Sequence, residues 1–277
     1  MKFVPVIEKE ESKSKSYYKY VNEPLHEIRG EEEKKYLNLR PDPSLALRFG
    51  DRAKLQTSEY EFEPEGVYIT KDSGIIISTC VEVPDLTEEM LDWFSIWHQL
   101  DPLRYAIWNP EDHYDVKISE EDRKRFLDDS IPIKERAWGT TCQVYESMNG
   151  DQPELIDINF YQPSKLGFKD ELVGTETCKS MVCSYGLMKA GPFGLFSIPV
   201  TMAEIVRKGP NGTNVWIGHW WIGCGIKDGQ DFVKWVPSFA ATKVAPLIVH
   251  NHKEIEHLNK ILPKLYNEYR DKPLDCN

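Results

Sequence analysis
The chain has 277 residues, carries a net charge of −11, and is 40% hydrophobic and 29% charged. This composition supports a folded core and excludes a disordered chain. The acidic balance argues against a nucleic-acid partner, which requires a basic stripe. No apolar run approaches the ~20 residues of a membrane span. The opening "MKFVPVIEKEESKSKS" lacks the apolar stretch of a secretory leader, so a cytoplasmic protein with no membrane partner is expected. The surplus negative charge disfavours strongly anionic ligands unless a cation sits in the site. Cys80, Cys142, Cys178, Cys183, Cys224 and Cys276 form no CxxC pair and read as reduced, largely buried thiols.

Residues 1 to about 65 are polar and rich in Lys, Glu and Tyr. "NEPLHEIRG" and "RPDPSLALRFG" are short amphipathic pieces broken by Pro and Gly. This extension buries little alone and is expected to wrap the main domain, 66–277, or a second subunit. "GVYITKDSGIIISTCVEV" predicts two strands around an Asp-Ser-Gly turn. "TEEMLDWFSIWHQL" predicts a helix capped by Thr87, with Met90, Trp93, Phe94 and Trp97 at helical spacing. "IKERAWGTTCQVYESM" and "ELIDINFYQP" predict partner strands. "TCKSMVCSYGLM" and "TMAEIVRKGPNGTNVWIGHWWIGC" predict two or three more, with hairpin-loop chemistry in "RKGPNGTNVW". A long helix follows from about Pro246. Helices and strands segregate, which predicts an α+β fold: a curved antiparallel sheet gripping a C-terminal helix around space for an apolar ligand.

That last helix raises a question of chemistry. "VAPLIVHNHKEIEHLNKILPKLYNEY" contains two His/Glu pairs at a spacing of four, His250 with Glu254 and His252 with Glu256. Either spacing sets two side chains on one face, where a metal often takes two ligands. Continuing from His250 and Glu254 reaches Leu258, Ile261 and Leu265, a core stripe. Continuing from His252 and Glu256 reaches Asn259, Lys260 and Pro263, so this pair is expected to face water. A buried His and Glu need charge compensation or a metal. The competing reading is a helix start whose acidic residues favour the dipole. His113 in "LRYAIWNPEDHYDV" is a further candidate, placed by Asn109-Pro110 in an ordered loop beside Tyr105 and Trp108. Glu146 is a fourth, sharing a strand face with Cys142 and Val144. Two histidines and two carboxylates suit zinc, and also iron or manganese.

"LRYAIWNPEDH", "TTCQVYE", "GHWWIG" and "HNHKEIEHLNKILPKLY" together resemble the 2,4-diacetylphloroglucinol hydrolase family, which includes phloretin hydrolase. The resemblance runs from about residue 65 to the C-terminus. It implies a helix-grip fold like the plant pollen-allergen (Bet v 1-like) and lipid-transfer domains, a homodimer, and one zinc ion per chain. It further implies hydrolysis of the carbon–carbon bond between an acyl group and a phloroglucinol ring. By resemblance, the metal ligands fall on His113, Glu146, His250 and Glu254. A family tyrosine falls on Tyr105, taken as catalytic and able to bind a ring hydroxyl, with Trp108 beside the substrate. His219 is set against a catalytic histidine that moves a proton. Without the resemblance, Tyr105 reads equally as a core aromatic, and His219 as a packed strand residue among Trp216, Trp220 and Trp221. The expected substrate is an acylated polyphenol, phloretin ahead of 2,4-diacetylphloroglucinol. A non-catalytic carrier of apolar ligands is the alternative of a different class.

Overall fold
The computed structural model describes residues 5–148, 150, 152–190 and 196–275. Two short helices, α1 (Glu10–Lys13) and α2 (Glu31–Leu37), precede strands β1 (Gly66–Ile69) and β2 (Ile75–Glu82). Next come α3 (Glu88–Trp97), α4 (Pro102–Ala106), β3 (His113–Ile118), α5 (Glu120–Phe126), β4 (Thr141–Glu146) and β5 (Glu154–Asn159). Strands β6 (Ser180–Ala190), β7 (Phe196–Lys208), β8 (Asn214–Ile222), β9 (Cys224–Lys227) and β10 (Gln230–Val233) follow. Helices α6 (Ala240–Val244) and α7 (Pro246–Tyr269) complete the order.

Every ladder is antiparallel, in a five-stranded sheet ordered β1-β2-β8-β7-β6, a three-stranded sheet β3-β4-β5 and the ribbon β9-β10. A bridge between Phe160 and Ser184, with the Tyr161 amide donating to the Cys183 carbonyl at 3.0 Å, joins the smaller sheet to β6. The continuous wall encloses α7, the α+β helix-grip arrangement expected. Thr87 caps α3 as predicted, its hydroxyl accepting from the Met90 amide. The strand at His113 was not foreseen: it starts β3 rather than lying in a loop, because the turn at 109–112 ends just before it.

The large sheet carries a core on each face. On β8, Trp216 and Trp220 face α7, packing with Ile255 and Leu258 at one end and Ala245 and Ile248 at the other. Val215, Ile217 and Trp221 face away, onto Phe49, Leu55 and Tyr60. Burial on both faces explains why "NVWIGHWWI" is apolar nearly throughout instead of alternating. Gly218 is required there, since a Cβ would lie 2.5 Å from the Trp220 ring. The N-terminal residues therefore cover the outer face of the sheet. They also cover the outer side of α7: Tyr17 stacks edge-on against Trp97 and Tyr269, and Glu23 pairs with Lys264 at 3.0 Å. Five cysteines, Cys80, Cys142, Cys178, Cys183 and Cys224, are free thiols, and all but Cys80 are buried.

Candidate metal centre
Helix α7 begins at Pro246, whose fixed φ and missing N–H suit a first-turn position. Its apolar stripe runs through Leu258, Ile261 and Leu265, all fully buried, and fixes the rotation of the helix. That rotation turns His250 and Glu254 inward at 3% and 6% exposure. Strand pairing supplies the facing wall. His113 on β3 lies directly opposite Glu146 on β4, where Cys142, Val144 and Glu146 alternate inward.

These elements converge. His113 Nε2 lies 3.4 Å from Glu254 Oε2, His250 Nε2 3.5 Å from the same oxygen, and His113 Nε2 3.8 Å from Glu146 Oε2. Bonds of about 2.1 Å to a tetrahedral zinc place neighbouring donors about 3.4 Å apart. His113, His250 and Glu254 form a buried group of donor atoms able to hold a metal ion, and Glu146 lies beside that group at 3.8 Å from His113. The donors of this group, two imidazoles and a carboxylate, fit a divalent ion of borderline softness.

The surrounding residues orient these donors. The Tyr105 carbonyl lies 3.3 Å from His113 Nδ1, which leaves Nε2 facing the centre when Nδ1 carries the proton. The Tyr105 ring stacks on His113 with centroids 4.1 Å apart, and its hydroxyl donates to Glu146 Oε2. Burial, then the adjacent Glu146, holds the Tyr105 phenol well above its usual pKa, so it stays a proton-bearing donor. Trp108 packs edge-on against His113, and its indole donates to the Glu254 carbonyl at 3.1 Å. His250 Nδ1 faces Asp112 Oδ2 at 3.6 Å. Asp112 is itself held by the Ser147 hydroxyl at 2.6 Å, the Gly150 amide at 2.9 Å and Lys253 at 3.1 Å. Burial alone would raise the Asp112 pKa. The facing His250 imidazole, the Ser147 hydrogen bond and the Lys253 charge instead hold it well below the carboxylate range. Burial would likewise lower the His250 pKa, but Glu254 and Asp112 raise it to about 9. A metal binding here would displace that proton.

Tyr105 and Trp108 are thus next to the donors, while His219 is not. On β8 it pairs with Ser78 and Ala203, on the sheet face opposite α7. It is fully buried there, stacked on Trp221 and 2.6 Å from Glu63. Burial would raise the Glu63 pKa, but the His219 partner lowers it, as expected of an ion pair. Strand alternation thus sets His219, expected by resemblance to move a proton, on the sheet face away from the metal-centre donors. The outer helical pair also differs from expectation. His252 is only 5% exposed, covered by Tyr36 at 4.4 Å between ring centroids and bonded to Glu65 at 2.8 Å. Glu256 is bonded by His26. The N-terminal segment covers His252, while Glu256 keeps part of its side chain open to water.

Four polar residues near the centre were not foreseen. Asp112 and Lys253 gain meaning only through each other and His250. Asn251 accepts from Thr79 at 2.6 Å and donates to Glu254 at 3.0 Å and Glu204 at 3.3 Å. Glu204, on the α7-facing side of β7, has its pKa raised to about 8 by burial first and Glu254 second. The one sequence signal was the spacing: Asp112 directly precedes His113, and Lys253 follows His250 by three.

A family profile described as "DAPG hydrolase PhiG domain" matches residues 46–267. Phloretin hydrolase from Eubacterium ramulus is 30% identical over 269 residues, covering 95% of this chain and 93% of that protein. 2,4-Diacetylphloroglucinol hydrolase from Pseudomonas protegens is 24% identical over 241 residues, covering 82% and 76% respectively. Among solved structures, a START superfamily protein from Mycobacterium smegmatis aligns with 15% identity and a TM-score of 0.36 over 69% of this chain and 98% of that one. Ara h 8.0201 aligns with 9% identity and a TM-score of 0.37 over 68% and 97%. The matched span contains all four inward donors, and the chain belongs to the DAPG hydrolase family.

Proposed function
We propose that this protein is a zinc-dependent hydrolase that cleaves the carbon–carbon bond between an acyl group and a phloroglucinol ring, with phloretin as substrate. The convergence of His113, His250 and Glu254 beside Glu146 carries this reading. A non-catalytic carrier of apolar ligands has no need of four such donors held in one buried cluster. Phloretin is favoured over 2,4-diacetylphloroglucinol by the higher identity and fuller coverage of the phloretin hydrolase match.

The chemistry is demanding because the leaving group is a carbanion. A phloroglucinol ring eases this by tautomerising, with a proton added at the acyl-bearing carbon. Water then adds to the carbonyl, the carbon–carbon bond breaks, and the ring recovers its aromaticity. The products from phloretin are phloroglucinol and 3-(4-hydroxyphenyl)propionate. A zinc ion held by His113, Glu146, His250 and Glu254 would supply a Lewis acid and lower the pKa of water. The chain's own residues orient that centre. Tyr105 pins Glu146 and stacks on His113, Asp112 holds His250, and Asn251 holds Glu254. Trp216 and Trp220, on the α7-facing side of the sheet, offer flat apolar walls suited to a polyphenol.

The test is to incubate the purified protein with phloretin and separate the products by chromatography, before and after chelation. Both products, lost on chelation and restored by zinc, are expected. No cleavage of phloretin or 2,4-diacetylphloroglucinol by zinc-loaded protein would overturn the reading. Faster turnover of 2,4-diacetylphloroglucinol would reassign the substrate.

A further inference from the structure
Across three strands, Glu204 on β7, Gly218 on β8 and Thr79 on β2 lie in register on the face that looks toward α7. Gly218 contributes no side chain, so Asn251 on α7 reaches both outer neighbours, accepting from Thr79 and donating to Glu204. The same amide nitrogen donates to Glu254. Its two N–H groups thereby tie a carboxyl on the sheet to a donor of the metal centre. Around Glu204 lie Met202 and Val206 along its own strand face, the ring of Trp220, and the indole of Trp216, whose side chain is a second polar neighbour of the carboxyl.

A carboxyl in such surroundings is costly unless it meets a polar partner. Asn251 at 3.3 Å is a long contact, which leaves the carboxyl capacity for a further partner. Glu204 keeps some accessible surface on the sheet face that looks toward α7. Tyr105 is less free to serve as the polar anchor for a ring, because its hydroxyl proton is committed to Glu146.

We propose that Glu204 is a substrate-binding residue that hydrogen-bonds a ring hydroxyl, while Asn251 fixes its distance from Glu254 and hence from the metal centre. This rests on the acylphloroglucinol reading of the site. An acylphloroglucinol has a hydroxyl on each side of its acyl-bearing carbon. A carbonyl at the metal donors therefore brings one hydroxyl to a neighbouring wall. An ionised carboxylate accepts from that hydroxyl, and a neutral carboxyl can accept or donate, so the assignment holds for either form.

The experiment compares zinc-loaded wild-type protein with Glu204→Ala and Glu204→Gln. Calorimetry measures binding of phloroglucinol and of 1,3,5-trimethoxybenzene, which has no hydroxyl to donate. Metal content and phloretin turnover are read in parallel. Glu204→Ala is expected to weaken phloroglucinol binding by about 10–100-fold, with metal content and trimethoxybenzene binding unchanged. Glu204→Gln, which preserves size and hydrogen-bonding capacity, is expected to lose less and keeps the test valid if the alanine variant misfolds. Unchanged phloroglucinol affinity in both variants, loss of metal in Glu204→Gln, or a wild type that does not bind phloroglucinol would overturn the assignment. Wild-type protein that binds phloroglucinol through Glu204 but cleaves no acylphloroglucinol would instead overturn the hydrolase reading alone.

Discussion
Helix α7 presents the same two residue types at the same spacing on two of its sides, with different results. His250 and Glu254 meet His113 and Glu146 from another sheet and form a compact donor cluster. His252 and Glu256 meet Glu65 and His26 from the N-terminal segment and form a chain of paired charges. The first side gathers two imidazoles and the Glu254 carboxylate around one point, with Glu146 beside them. The second pairs each histidine with a carboxylate in sequence, so no common centre arises. An i, i+4 His/Glu pair is therefore half a metal site at most, and the opposing element decides its use.

The largest effect that sharpens this contrast is loss of an inward donor. His250→Ala or Glu254→Gln should abolish stoichiometric zinc and cut phloretin turnover by about a thousandfold or more, by metal analysis and kinetics. Retained metal and activity would break the distinction. The next effect is one of stability. His219→Ala leaves Glu63 buried without its partner, so unfolding free energy should fall by about 3–5 kcal/mol while metal content is kept. Loss of zinc in that variant would connect the two sheet faces in a way the strand register forbids. Asp112→Asn should reduce zinc affinity by about 10–100-fold in a competition titration, since it removes the charge facing His250.

The smallest effect falls on the outer side of α7. His252→Ala should keep its zinc and lose roughly 1–2 kcal/mol of stability. Burial would lower the His252 pKa, but Glu256 and Glu65 raise it to about 9 from 6.5. A folded pKa above the unfolded one stabilises fully below pH 6.5 and fades as pH rises through about 9. Denaturation curves should therefore show the deficit of His252→Ala shrinking between pH 6 and pH 10. A deficit that grows with pH would contradict the pairing.

Helix α7, the β1–β2 hairpin and the β4–β5 pair were legible because each has a clean period or turn signal over its own length. The inward choice of His250 over His252 came from the phase of Leu258, Ile261 and Leu265, a local quantity. The cover over His252 was invisible because Tyr36 and Glu65 approach from far along the chain. The side of the sheet that His219 takes was hidden for a different reason. With Trp216, Ile217, Trp220 and Trp221 filling both faces of β8, no alternation remained to say which side it faces. The start of β3 was hidden by the Asn109-Pro110 turn signal. Asp112, Lys253, Asn251 and Glu204 are ordinary polar residues in isolation, and only tertiary contacts reveal their partners.

The placement of α7 also has a temporal consequence. Donors at 113 and 146 belong to strands made early, whereas those at 250 and 254 arrive only with the final helix. Much of the covering for that helix comes from residues 17–65, near the opposite end of the chain. Contacts so distant in sequence form late in folding. His113 can share an ion with His250 and Glu254 only after α7 docks, so metal uptake would report the last folding step rather than its nucleus.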